Sequence, residues 1–96
     1  MNNIIAQAIQ EQRELELRYS GYSRIVEPHA YGRDKSGEEI LRCYQVSGGS
    51  TSGERVGWKI LKVSEVFSLN LLKEKFDVRT GYKRGDKAME YIFEQL

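Results

Sequence analysis

Arg24-Ile25-Val26-Glu27-Pro28-His29-Ala30-Tyr31-Gly32-Arg33 is the stretch on which the reading of this chain turns. It holds the only proline and the only histidine of 96 residues, between two arginines. The residues around Val26 read as strand, yet Pro28 has no N–H to give to a sheet ladder. The segment therefore belongs at an edge, a bend or a bulge. A bent strand carrying so many polar groups can turn a sheet corner or line a pocket.

The flanks supply partners for that strand. From Glu14 the pattern has period two: Leu15, Leu17 and Tyr19 point one way, Glu14, Glu16 and Arg18 the other. Ser20-Gly21-Tyr22-Ser23 reads as the turn of a hairpin, and Asp34-Lys35-Ser36-Gly37 as a second turn. Glu39–Val46 alternates Leu41 and Cys43 against Ile40, Arg42 and Tyr44. After the flexible Gly48-Gly49-Ser50-Thr51-Ser52-Gly53-Glu54 connection come two more strands, 57–63 and 66–72, joined tightly at Ser64-Glu65.

Before the strands, Asn3 is a candidate N-cap, and Ile4, Ile5, Ala8 and Ile9 follow at helical spacing, which predicts a helix over 3–13. After them, 73–85 reads as a basic loop and Asp86 as the cap of a final helix over 86–95, striped by Met89, Ile92, Phe93 and Leu96. Five short strands (14–72) between two helices predict one mainly β (α+β) domain over 1–96, built as a small, strongly bent five-stranded antiparallel barrel.

Composition narrows the class. The chain is 40% hydrophobic and 30% charged with a formal charge of +1, and no apolar run approaches a membrane span. The N-terminus lacks the basic and apolar regions of a signal peptide. Cys43, the single cysteine, cannot form an internal disulfide; it suits a reducing, cytoplasmic setting and reads as a small buried apolar residue. Charge is uneven: residues 73–87 carry six basic and three acidic side chains, a bias that favours an anionic partner.

Catalysis has little support. There is no His/Cys cluster at metal-ligand spacing, no Gly-x-Ser-x-Gly elbow and no phosphate loop ending in Gly-Lys-Ser/Thr. We expect no catalytic residue, no metal and no cofactor. Binding has more. Arg24, Arg33, Arg42, Arg55 and Lys59 lie in or beside adjacent strands, interleaved with Tyr22, Tyr31, Tyr44 and Trp58. Guanidinium forks suit phosphate, and aromatic faces stack on bases. The competing use of those aromatics is to fill a small core.

Arg24-Ile-Val-Glu-Pro-His, Leu41-Arg-Cys-Tyr and Gly57-Trp-Lys-Ile-Leu-Lys-Val-Ser-Glu-Val together resemble a WYL domain, over nearly the whole chain from about Ile4. Arg24 and Pro28 fit the family's first strand. Glu39, Ile40 and Leu41 stand at its eponymous Trp-Tyr-Leu, so only the leucine agrees. Lys59, Leu61, Val63 and Val66 are conservative replacements in the last strand. The resemblance implies an Sm-like, SH3-type barrel that senses a nucleotide or single-stranded nucleic acid in bacterial transcription regulation, here without the usual winged helix-turn-helix. It puts Arg24 and Lys59 at the family's basic ligand-facing places, with His29 lining the same pocket; on our reading Arg24 and Lys59 engage phosphate, His29 and Tyr44 donate or stack, and Arg42 and Arg55 assist at the rim. A protein–protein or homodimer module, using the last helix and the Arg79–Arg84 loop, is the alternative.

Overall fold

The structure is a computed structural model, and it describes residues 2–96. Helix α1 (Asn3–Glu11) leads into strands β1 (Arg13–Tyr19), β2 (Tyr22–Arg33), β3 (Glu39–Gly48) and β4 (Gly57–Lys62). A single 3₁₀ turn, Val63–Glu65, joins β4 to β5 (Phe67–Lys75), and β6 (Tyr91–Gln95) follows a long irregular segment. All pairings are antiparallel, in the order β4-β3-β2-β1-β5, with β6 joining β2.

Alternation explains the inner face. Leu15, Leu17, Val26, Tyr31, Leu41, Cys43 and Leu61 project from four neighbouring strands into one cluster, and Ile5, Ala8 and Ile9 of α1 close it. The cap of α1 is Asn2 rather than Asn3: its side-chain oxygen accepts from the Ile4 and Ile5 amides at 2.9 and 3.1 Å. The helix also ends earlier than expected. Gln12 turns left-handed, with φ of 49°, and donates its N–H back to the last turn, so that Arg13 can begin β1.

Two expectations are overturned. The sheet has six strands and does not close into a barrel: β4 and β5, the ends of the path, each pair on one side only among the described residues. The final helix is also absent, and β6 stands in its place. The reason lies in the twelve-residue strand β2. One of its edges is covered by β3 throughout, whereas β1 covers the other only as far as Val26. The uncovered remainder, Ala30–Arg33, offers a free ladder that Tyr91, Ile92, Glu94 and Gln95 fill, with Phe93 the extra residue at a register shift; Tyr91-Ile92-Phe93 are β-favouring residues. Phe93 then packs against the inner cluster and Ile92 against a second, outer cluster of Ala30, Ile40 and Met89. Gly32 permits the approach, because a Cβ there would meet the Tyr91 carbonyl oxygen at 2.1 Å.

The bend falls where Pro28 places it. Pro28 pairs with Cys43 and Ala30 with Arg42, so two steps along β2 match one along β3 and His29 is the extra residue of a bulge.

Candidate functional site

The outer face carries a cross-strand row, Glu27–Tyr44–Trp58, and beside it Ala30–Arg42–Ile60. The bulge puts the His29 ring among these residues, with its centroid 4.9 Å from that of Trp58. Residues 76–90 fold back over this surface. Phe76 and Tyr82 stand 5.2 and 5.0 Å from the His29 ring, while Met89 plugs the outer apolar cluster.

Polar contacts fasten the segment along its length: the Phe76 N–H donates to the Gln12 carbonyl at 3.0 Å and Arg84 Nε to the Leu96 carbonyl at 2.9 Å, and others reach the outer-face side chains. Arg79 donates from Nε and Nη2 to both carboxylate oxygens of Glu27, at 3.0 and 2.9 Å, in the bidentate form. Its guanidinium also lies 4.2 Å above the Tyr44 ring. The Arg79 main-chain N–H donates to His29 Nε2 at 3.0 Å. Further along, Arg42 donates from Nε and Nη2 to Asp86 at 2.6 and 3.3 Å. The Arg42 bond holds the Asp86 carboxyl below its ordinary range, against a burial that raises it.

Between β4 and the returning segment lies a cleft of roughly 480 Å³ lined by Arg42, Trp58, Tyr82, Asp86 and the exposed Lys83, Arg84 and Lys87. That volume falls within the usual small-ligand range of about 300–1,000 Å³. Trp58 and Tyr82 present nearly parallel rings, 29° apart with centroids at 6.2 Å. The Tyr82 hydroxyl is buried with no hydrogen-bond partner, and burial pushes its pKa up. Asp86 is committed to Arg42, which leaves the rim positive.

Strand alternation divides the six residues expected to form one binding face. His29, Arg42 and Tyr44 lie on the outer face, but each is engaged: His29 is fully buried, Arg42 is clamped to Asp86, and Tyr44 sits beneath Arg79. Arg24 and Lys59 belong to the inner face, in register with Leu17 and Cys43 respectively. Arg24 is 3% exposed. It donates to the Tyr19 carbonyl at 3.1 Å and to Gln45 Oε1 at 3.3 Å, leaving its buried Nε unpaired. Lys59 donates to Ser50 Oγ and to the Glu54 carbonyl. Arg55 is exposed on the β3–β4 connection.

Glu27, Phe76, Arg79 and Tyr82 were not singled out as site residues. An aromatic inside Gly81-Tyr82-Lys83-Arg84-Gly85, a basic loop bracketed by glycines, was the signal that could have found the cleft. The surface imagined for a partner protein is largely consumed within the fold: Met89 is buried, and Ile92 and Phe93 pack into the two clusters. Cys43 is fully buried, and burial pushes its thiol up to about 12, which keeps it protonated near neutral pH.

No protein-family model, no curated protein and no solved structure matches this chain. Among the described residues no helix is long and apolar enough to cross a membrane, and no group of three or more His, Cys, Asp or Glu is placed to hold a metal.

Proposed function

We propose that this chain is a non-enzymatic ligand-sensing domain that binds a nucleotide or single-stranded nucleic acid in the cleft between β4 and residues 81–87. The observation that carries this reading is the pairing of two near-parallel aromatic rings, Trp58 and Tyr82, with a rim of Lys83, Arg84 and Lys87. A base has a π-face for the rings, and its phosphates have a charge for the rim. Such stacking contributes about 1–3 kcal/mol per base. The resemblance to WYL domains supports the same ligand class and a regulatory role. The contacts differ from those the resemblance marks, since Arg24 and Lys59 are spent on the inner side of the sheet.

Trp58 is the only tryptophan, so its fluorescence reports binding directly. Titration with twelve-residue oligo-dT and oligo-U should quench it. With three phosphate contacts on a single strand, log affinity should fall against log salt with a slope of about −2, or roughly twentyfold between 50 and 200 mM. Trp58→Ala, followed by labelled oligonucleotide, should lose about tenfold or more. Lys83→Glu, at an exposed position that leaves folding alone, should weaken binding and flatten the salt slope. Absence of binding at 50 mM salt, or unchanged affinity in Lys83→Glu, removes this reading.

A further inference from the structure

The two ring nitrogens of His29 have assigned roles. Nδ1 lies 2.9 Å from the Glu27 carbonyl oxygen, which can only accept, so Nδ1 carries the proton. Nε2 receives the Arg79 main-chain N–H, which can only donate, so Nε2 is bare. Both bonds are therefore made by the neutral ring alone. A proton added at Nε2 would set two N–H donors against each other, about 3 Å apart, in a fully buried place.

From these contacts we propose that His29 is an acid-sensitive latch: its neutral ring holds residues 77–82 on the outer face, beyond the Phe76 main chain that Gln12 pins separately, and its protonation loosens them and opens the cleft. The latch stands on geometry alone. Its consequence, release of a bound nucleotide or single strand on acidification, rests on the function proposed above.

The groups facing the ring decide the sign. Glu27, on the same strand, favours an imidazolium, but its carboxylate is occupied by Arg79, whose own charge opposes one. Tyr82 of the segment contributes a phenol against the ring, and Tyr44 of β3 lies beneath Arg79. Glu14 of β1 acts on the Glu27–Arg79 pair rather than on the ring, and the Arg42–Asp86 pair is internally compensated. Burial is the largest influence and holds the ring below its ordinary value of 6.5. A histidine whose folded pKa is depressed stabilises the folded state fully above the unfolded value, and that stability drains away as pH falls below it. The latch therefore weakens progressively below about pH 6.5. The Asp86 carboxyl is held low by Arg42 and stays ionised through that window, so residues 86–89 remain anchored, as Phe76 does by Gln12, while 77–82 come away.

The test is a pH titration of the 96-residue chain by ¹H–¹⁵N NMR from pH 7.5 to 5.0, following the His29 ring alongside the amides. The Arg79 amide and its neighbours in 77–85 should shift or broaden with the same midpoint as the His29 ring, below 6.5, while Leu15, Leu17 and Leu41 stay in place. His29→Gln, with a side-chain oxygen able to accept at that position and no titration, should abolish the transition. The latch is overturned if His29 titrates with 77–85 unmoved, if the inner strands respond together with the segment, or if His29→Gln still shows the transition. Oligo-dT binding at pH 7.5 and 5.5 is measured in parallel. Wild type should weaken at least tenfold more than His29→Gln. If no oligonucleotide binds at either pH but the NMR transition occurs, the latch stands and the reading of the cleft falls.

Discussion

The two faces of this sheet are covered in different ways. The inner face is closed by α1, a regular helix whose Ile5, Ala8 and Ile9 meet Leu15, Leu17, Val26 and Leu41 without a charge among them. The outer face is closed by residues 76–90, which form neither helix nor strand and are fastened by directed polar contacts, among them two bidentate ion pairs and one histidine. Burial of aliphatic surface is non-directional and indifferent to protonation. Directed polar contacts depend on the protonation state of the groups that make them. Permanence therefore belongs to the inner face and adjustability to the outer one, where the cleft lies.

Substitutions can break or sharpen this contrast. Leu41→Ala removes a fully buried inner side chain and should cost about 2–5 kcal/mol in urea unfolding, with every probe reporting the same transition. Glu27→Gln removes the charge beneath Arg79, whose side chain is 39% exposed, and should cost only about 1–2 kcal/mol globally. Its local effect should be greater, with tryptic cleavage at Arg79, Lys83 and Arg84 appearing before the sheet unfolds. If Glu27→Gln equalled Leu41→Ala in global cost, the two covers would be one cooperative unit and the contrast would fail. Asn2→Ala deletes the helix cap on the inner side and should cost roughly 0.5–1 kcal/mol in the same urea experiment, with cleavage of the outer segment unchanged.

What was legible in the chain was local. The change from a period near 3.6 to a period of two placed α1 and β1, and the turns Ser20–Ser23 and Asp34–Gly37 set the hairpins. Pro28 marked the bend because a missing donor is a property of the residue itself. The pairing of β6 was not legible, since it depends on an edge that exists only after β1 stops short at Val26. The stripe Met89-Ile92-Phe93-Leu96 suits a helix equally well until that edge is available.

The candidate site was half legible. Alternation already separated Lys59 and Leu61 from Trp58 and Ile60, and Cys43 from Arg42 and Tyr44. Grouping the cations by strand adjacency alone ignored that parity. The fold-back of 76–90 joins Arg79 to Glu27 across 52 positions, and no local signal announces such a contact.

The open sheet has one more consequence. A closed barrel has no free edges, whereas this fold leaves β4 and β5 each with an unpaired row of main-chain donors and acceptors that a second molecule could zip onto. The chain blunts both. β4 is only six residues long and carries Lys59 and Lys62. β5 shifts register twice against β1, turns Ser68 to a φ of 53°, and ends in Lys73 and Lys75. Irregularity and like charge along an edge oppose indefinite strand-on-strand stacking. These features oppose self-association at the two places where, among the described residues, the sheet fails to meet itself.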